Sequence, residues 1–213
     1  MFDCILLMAG AGKRSNLEFN KIEYKINGKA LYQYSLDEFI KMEELNKIIM
    51  VVRADEYARF KSFQSDKIIV TCGGARRQDS VLCGLKKCQE ELVMIHDAAR
   101  CNVKVRDIEQ LYYKGMKSYA AYLGVLCTDA LRKKNGKSLD RNNIFIVQTP
   151  QMINKAMLQK ALEEIKVDVY DDIEAIEKVY GIAGKVVLGS YDNIKVTTPA
   201  DLKYMEYLKN HEN

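Results

Sequence analysis

The chain has 213 residues, enough for one well-buried core and not enough to require a second domain. Hydrophobic residues make up 48% and charged residues 29%, the balance of an ordinary water-soluble globule, and no apolar run approaches the ~20 residues of a membrane span. The net charge is +4, too small and too dispersed for a nucleic-acid binder, so a mildly basic enzyme with an anionic substrate is expected.

The first predicted strand is "CILLMA" (4–9), which runs into "GAGKRS". A Walker A loop needs a glycine at position 7 and Ser or Thr after the Gly-Lys pair; Leu7 and Arg14 stand there instead. A dinucleotide-binding fingerprint wants a third glycine where Ser15 lies, so a dinucleotide-binding oxidoreductase is a remote alternative. The remaining readings are a glycine loop whose backbone N–H groups and cations wrap a nucleoside triphosphate, and a plain turn with two solvated cations. This stretch alone does not choose between them.

Apolar positions at helical spacing predict a helix in "LYQYSLDEFIKM" (31–42). Strands follow in "KIIMVV" (47–52) and "KIIVTC" (67–72), the second ending in "GGARRQDS", which repeats the logic of the first loop. A helix is expected from near Asp79 or Ser80 to Leu92. The strand "LVMIHDAA" (92–99) delivers "HDAAR", and "AAYLGVLC" (120–127) is the next strand. Residues 127–143 are polar around "NGK" and predict an extended hairpin or arm with its tip near Asn135-Gly136. A strand at 144–149, helices at 157–165 and 172–181 and a strand at 185–190 complete the alternation, with Lys195 placed in a further strand. Thr198 as N-cap, Pro199 at the first helical position and Asp201 in the first turn announce the last helix.

Near-continuous apolar strands alternating with helices predict a mostly parallel sheet covered on both faces. In such a sheet the loops at the carboxyl ends of the strands form the ligand crevice, and the first three loop motifs converge there. Six cysteines form no CxxC pair and accompany only two histidines, which disfavours zinc. A reducing cytoplasm fits them, and the N-terminal apolar stretch does not read as a signal peptide.

Taken together, "LLMAGAGKRS…NK", "GGARRQDSVLCGL", "IHDAAR", "DRNNIFIVQTPQ", "DDIEAIE" and "NIKVTTPADL" resemble the 2-C-methyl-D-erythritol 4-phosphate cytidylyltransferases in order and spacing. The match runs from about residue 3 to about residue 208. The chain is similar, more distantly, to the ribitol-5-phosphate cytidylyltransferases. The resemblance implies a single Rossmann-like α/β nucleotidyltransferase domain over residues 1–213. It also implies a protruding β-arm at about 127–143 that crosses to a second subunit, giving a homodimer with arm exchange. It implies the reaction of CTP with 2-C-methyl-D-erythritol 4-phosphate to give 4-diphosphocytidyl-2-C-methyl-D-erythritol and pyrophosphate, in the non-mevalonate route to isoprenoid precursors, with Mg²⁺ as cofactor.

The resemblance assigns roles to residues. Arg14 and Lys21 match positions that stabilise the transition state, and Lys195 and Arg141 match positions that orient the acceptor phosphate. Met8, Ala9, Gly10, Gly12, Ala75 and Ser80 would read the nucleotide largely through backbone groups. Asp97 and Ala98 would lie at the ribose and phosphates, Asp97 also being the candidate metal neighbour, and Arg100 would sit by the acceptor. Without the register, Lys21 and Lys195 would pass for surface lysines, Arg76 and Arg77 for solvated ones, and Asp97 for a cap. His96 is expected to be packing rather than acid–base machinery. The chain departs from the family pattern at Asn20 and Cys101, where proline is usual, and at Ala130 and Tyr170, where threonine is common. The last two leave the exact acceptor open, with ribitol 5-phosphate the runner-up.

Overall fold

The structure is a computed structural model that describes residues 1–10 and 20–212. In chain order its strands are β1 (Phe2–Leu7), β2 (Lys25–Ile26), β3 (Lys29–Ala30), β4 (Leu45–Val52), β5 (Ile68–Cys72), β6 (Leu92–Asp97), β7 (Ala120–Leu126), β8 (Leu131–Arg132), β9 (Ser138–Leu139), β10 (Phe145–Asn154) and β11 (Lys185–Leu188). The helices are α1 (Leu31–Ile40), α2 (Tyr57–Phe60), α3 (Arg77–Leu85), α4 (Val105–Gly115), α5 (Lys155–Glu164), α6 (Asp172–Tyr180) and α7 (Pro199–Asn210). The seven apolar runs of the sequence all enter one seven-stranded sheet, in the order β11-β7-β10-β6-β1-β4-β5. Strands β6, β1, β4 and β5 pair in parallel, as do β11 and β7, while β10 pairs antiparallel with both β6 and β7.

The side-chain alternation of a strand explains the two cores. Along β1, Phe2, Cys4 and Leu6 join a cluster with Phe39 of α1 and Ile108 and Leu111 of α4. Ile5 points the other way, to Val81 and Leu85 of α3, Leu158 of α5 and Ile176 of α6. Burying each such side chain is worth about 1.5–3 kcal/mol, so a strand covered twice must be apolar throughout, as these are. A third cluster seats Leu202 and Met205 of α7 on Ile26, Leu31 and Val196.

Local signals set the helix ends. The Thr198 hydroxyl accepts from the Asp201 N–H at 3.3 Å and the Asp201 carboxylate accepts from the Thr198 N–H at 2.7 Å, closing a capping box at α7. Asp171 caps α6 through the Glu174 N–H at 2.9 Å, and Gly181 ends it at φ +67°. Several elements differ from the sequence reading, among them β10, which runs on to Asn154 rather than ending at 149, and the short pair β2–β3. The helix expected at 79–92 opens at Arg77 and stops at Leu85. Lys195 lies in an irregular segment between β11 and α7, not in a strand. Helix α4, with Ile108, Leu111, Tyr112 and Gly115 buried at helical spacing, and the single turn α2 add to the expected set. The arm is a small hairpin of β8 and β9, and Gly136 takes φ +84° at its tip. No helix among the described residues is long and apolar enough to cross a membrane.

Candidate active site

Because β1, β4, β5 and β6 run in parallel, their carboxyl ends bring three loops to one edge. A cavity of about 440 Å³ opens there, lined from the first loop by Met8, Ala9 and Gly10, from the second by Gly74, Ala75 and Ser80, and also by Asp97, Lys21 and Lys195. Gly12 and Arg14 lie outside the described residues. The Met8 N–H donates to Val51 O at 2.8 Å and the Gly73 N–H to Val52 O at 2.8 Å, so both loops leave the sheet as extensions of its ladder. They also touch. A Cβ on Gly73 would meet Ala9 Cβ at 2.8 Å and Ser80 Oγ at 2.7 Å, and one on Gly74 would meet Asp79 Cβ at 2.5 Å. The absence of side chains at 73 and 74 lets backbone form the cavity wall. Ser80 Oγ is part of that wall, accepting from the Gly74 N–H and donating to Arg76 O, both at 3.1 Å.

The opposite wall is an ionic cluster. Asp97 ends β6, and its N–H donates to Thr149 Oγ1 at 3.0 Å. Its carboxylate accepts from Lys195 Nζ at 2.6 Å and from Arg77 Nε at 3.4 Å. Arg77 also donates to the fully buried Asp172 carboxylate at 2.8 Å. Burial alone would raise the Asp97 carboxyl, but Arg77, Lys195 and Arg100 hold it well below the usual carboxylate range. Burial likewise works against the Arg77 charge, and Asp172 and Asp97 outweigh it, raising its already high value. Arg77 is therefore not a solvated residue. Arg76 at the α3 terminus is half-exposed and paired with Asp79 at 2.7 Å and Asp168 at 3.2 Å. The described lining carries Lys21, Arg76, Arg77 and Lys195 against the single carboxylate of Asp97. Such a lining draws in a polyanion.

Lys195 reaches the cavity because its irregular segment is pinned to the sheet. Asn193 donates its side-chain N–H to Thr149 O at 3.0 Å, Arg100 donates to Asn193 O at 2.9 Å, and the Val196 N–H donates to Ala99 O at 2.9 Å. Arg100, expected beside the acceptor, thus commits donors to the carbonyls of Asn193 and, at 3.2 Å, Val147, and it does not line the cavity. Burial lowers its affinity for the proton, with Asp97 opposing that trend. Ala98 is fully buried, its N–H on Leu7 O at 3.1 Å, and Ala99 lines the cavity in its place. His96 is also fully buried, between Thr149 Oγ1 at 3.0 Å and Ser35 Oγ at 3.2 Å, and burial pushes it down to about 4, so it is a neutral packing group. Arg141 belongs to the arm, in a separate hollow with Ala130, Leu139 and Asp140, and donates to Thr128 O. Tyr170 is 94% exposed and does not line the cavity. The Arg77–Asp172 pair and the Asn193–Thr149 link escaped sequence reading.

The protein-family model described as "IspD: 2-C-methyl-D-erythritol 4-phosphate cytidylyltransferase" matches residues 3–210. A curated 2-C-methyl-D-erythritol 4-phosphate cytidylyltransferase of Geobacillus kaustophilus is 35% identical, covering 96% of this chain and 95% of the relative. The solved enzyme of that name from Francisella tularensis is 32% identical with a TM-score of 0.81, covering 97% of this chain and 98% of its own. At 23% identity, the solved 4-diphosphocytidyl-2C-methyl-D-erythritol synthase of Anaerococcus prevotii shares the fold at a TM-score of 0.86, covering 99% and 98%.

Proposed function

Because the chain belongs to the 2-C-methyl-D-erythritol 4-phosphate cytidylyltransferase family, we propose that it joins CTP to 2-C-methyl-D-erythritol 4-phosphate, giving 4-diphosphocytidyl-2-C-methyl-D-erythritol and pyrophosphate. A phosphate oxygen of the acceptor attacks the α-phosphorus of CTP. The bond from that phosphorus to the oxygen bridging to the β-phosphate breaks, and pyrophosphate leaves with the electron pair. A phosphate dianion is already a nucleophile, so no side chain has to remove a proton, and the protein's task is alignment and charge neutralisation. The observation that carries the reading is the meeting of Lys21, Lys195 and Asp97 on one cavity walled by two glycine loops at the carboxyl edge of the sheet.

In this reading Lys21 and Arg14 neutralise charge developing around the α-phosphorus. Lys195 leaves Asp97 to meet the acceptor phosphate, and the loop backbones at Met8, Ala9, Gly10, Gly12 and Ala75, with Ser80, hold the nucleotide. Asp97 is the only carboxylate in the described lining. A single carboxylate suits Mg²⁺, which keeps most of its shell as water and substrate phosphate oxygens, so Asp97 would hold the ion together with CTP. The ion supplies charge neutralisation on the triphosphate. Ala98 and Arg100 act from behind the cavity, as packing and as the support of the Lys195 segment.

Residues 1–213 form one nucleotidyltransferase unit in this reading, with 127–143 as its dimerisation arm. Arg141, away from its own cavity, would serve the acceptor phosphate of a partner subunit in a homodimer, and the arm's polar composition supports that exchange. Six unpaired cysteines, four of them buried, suit the cytoplasm. The test is pyrophosphate release from CTP against a panel of polyol phosphates. Release with 2-C-methyl-D-erythritol 4-phosphate is expected, whereas release with ribitol 5-phosphate alone would overturn the acceptor.

A further inference from the structure

Lys21 sits on a single 3₁₀ turn, Lys21–Glu23, too short to hold a side chain in place by its own hydrogen bonds. The residue before it is Asn20, whose backbone lies at φ −66° and ψ 115°. That φ is the value a proline ring imposes, yet the residue here carries an amide, and every polar atom of the amide is engaged. Asn20 Oδ1 accepts from the Ile22 N–H at 3.4 Å, capping the turn. Asn20 Nδ2 donates to Met8 O at 3.3 Å and to the Glu56 carboxylate at 3.1 Å and 3.3 Å.

These partners are themselves fixed. Met8 is buried, its N–H on Val51 O, and it lines the nucleotide wall of the cavity. Glu56 precedes α2, its side chain is only 12% exposed, and it faces Arg59 at 3.5 Å. Arg59 in turn pairs with Glu23, two residues beyond Lys21. The turn bearing Lys21 is therefore fastened on both sides, by Asn20 before it and by Glu23 after it, to the same Glu56–Arg59 pair.

We propose that Asn20 is a positioning residue for Lys21, its side-chain amide crosslinking the lysine's turn to the first loop at Met8 and to α2 at Glu56, and so replacing by hydrogen bonds the stiffness a proline would give. The inference rests on the cytidylyltransferase reading, because it takes Lys21 as a group that acts on the transferring phosphorus. Misplacing such a group by an ångström costs turnover more than binding.

The test is steady-state pyrophosphate release, with kcat and the KM for CTP measured separately, for the wild type, Asn20→Ala, Asn20→Pro, Glu56→Ala and the Asn20→Pro/Glu56→Ala double variant. Asn20→Ala is expected to lower kcat about 10- to 100-fold with a smaller change in KM. Asn20→Pro is expected to recover most of that loss, since the backbone already holds the ring's φ. Glu56→Ala is expected to lower kcat in the wild-type background and to have little effect on Asn20→Pro, a coupling that a purely structural role would not produce. Should Asn20→Ala fail to fold, the cycle of Asn20→Pro and Glu56→Ala still decides the matter. Wild-type kcat in Asn20→Ala, an Asn20→Pro enzyme as slow as Asn20→Ala, or an equal Glu56→Ala penalty in both backgrounds would overturn the proposal. A wild type that releases no pyrophosphate with any acceptor contradicts the functional reading, and this proposal with it; an active wild type with an unaffected Asn20→Ala contradicts this proposal alone.

Discussion

Asp97 and His96 are neighbours on one strand with opposite fates, decided by what faces each. Asp97 points into a cavity where two cations meet it, so its charge is favoured despite burial. His96 is fully buried, its ring nitrogens on the Thr149 and Ser35 hydroxyls and its ring 5.3 Å from that of Phe39 between centroids, and burial removes its charge. The histidine leaves a signature in stability. Its folded value is depressed from 6.5 to about 4, so the unfolded chain binds the extra proton first as pH falls. The stabilisation from keeping it neutral is complete above pH 6.5 and drains away toward about 4, by about 3 kcal/mol. Asp97, also depressed, adds a further loss below the ordinary carboxylate range. Urea unfolding as a function of pH is expected to show this slope between pH 6.5 and 4 and a flatter one in His96→Gln; identical slopes would remove His96 from the account. The idle role of His96 is readable in the sequence, because phosphoryl chemistry with a dianionic nucleophile has no use for a base. The role of Arg77 is not, since its buried partner Asp172 lies 95 residues away and only folding joins them.

At the scale of elements, that same pair rivets the start of α3 to the start of α6. Removing one member of a buried pair strands the other charge. Asp172→Ala is expected to destabilise the protein by about 3–5 kcal/mol in urea unfolding and to loosen Asp97 through Arg77. A loss under 1 kcal/mol would show the pair to be incidental. The second glycine loop makes a steric prediction. Gly74→Ala would drive a methyl into Asp79 and displace the first turn of α3, costing about 1–3 kcal/mol and weakening CTP binding in calorimetry. Unchanged binding would mean the loop backbone does not face the nucleotide. The seven sheet strands were readable in place because burial on both faces demands unbroken apolar runs, although β10 runs five residues past the expected 149, to Asn154, and the short pair β2–β3 left no such run. Helix limits were less so: α3 opens at Arg77, with the Asp79 carboxylate accepting from the Arg76 N–H at 3.1 Å, so Asp79 caps the helix from its first turn rather than standing before it. The segment of Lys195 reads as a strand locally, but its own Asn193 ties it instead to Arg100 and the Thr149 carbonyl, both distant in sequence.

At the scale of the whole molecule, the arm and the cavity give a test of assembly. If Arg141 serves a partner's site, Arg141→Ala and Lys195→Ala enzymes, each inactive alone, complement on mixing, because one site of every mixed dimer is intact. After subunit exchange in equal amounts, recovery of about a quarter of wild-type activity is expected. No recovery, with mixed dimers demonstrated by mass spectrometry, would place Arg141 outside the partner's site. On the proposed reading catalysis rests on the cations that line one cavity from distant parts of the chain, and single-turnover pyrophosphate release from CTP by Lys21→Met and Lys195→Met addresses that claim most directly. Each variant is expected to lose about 10²–10³-fold in the chemical step while CTP binding stays within about tenfold. Turnover within a few-fold of the wild type in both, with the fold intact, would contradict the account.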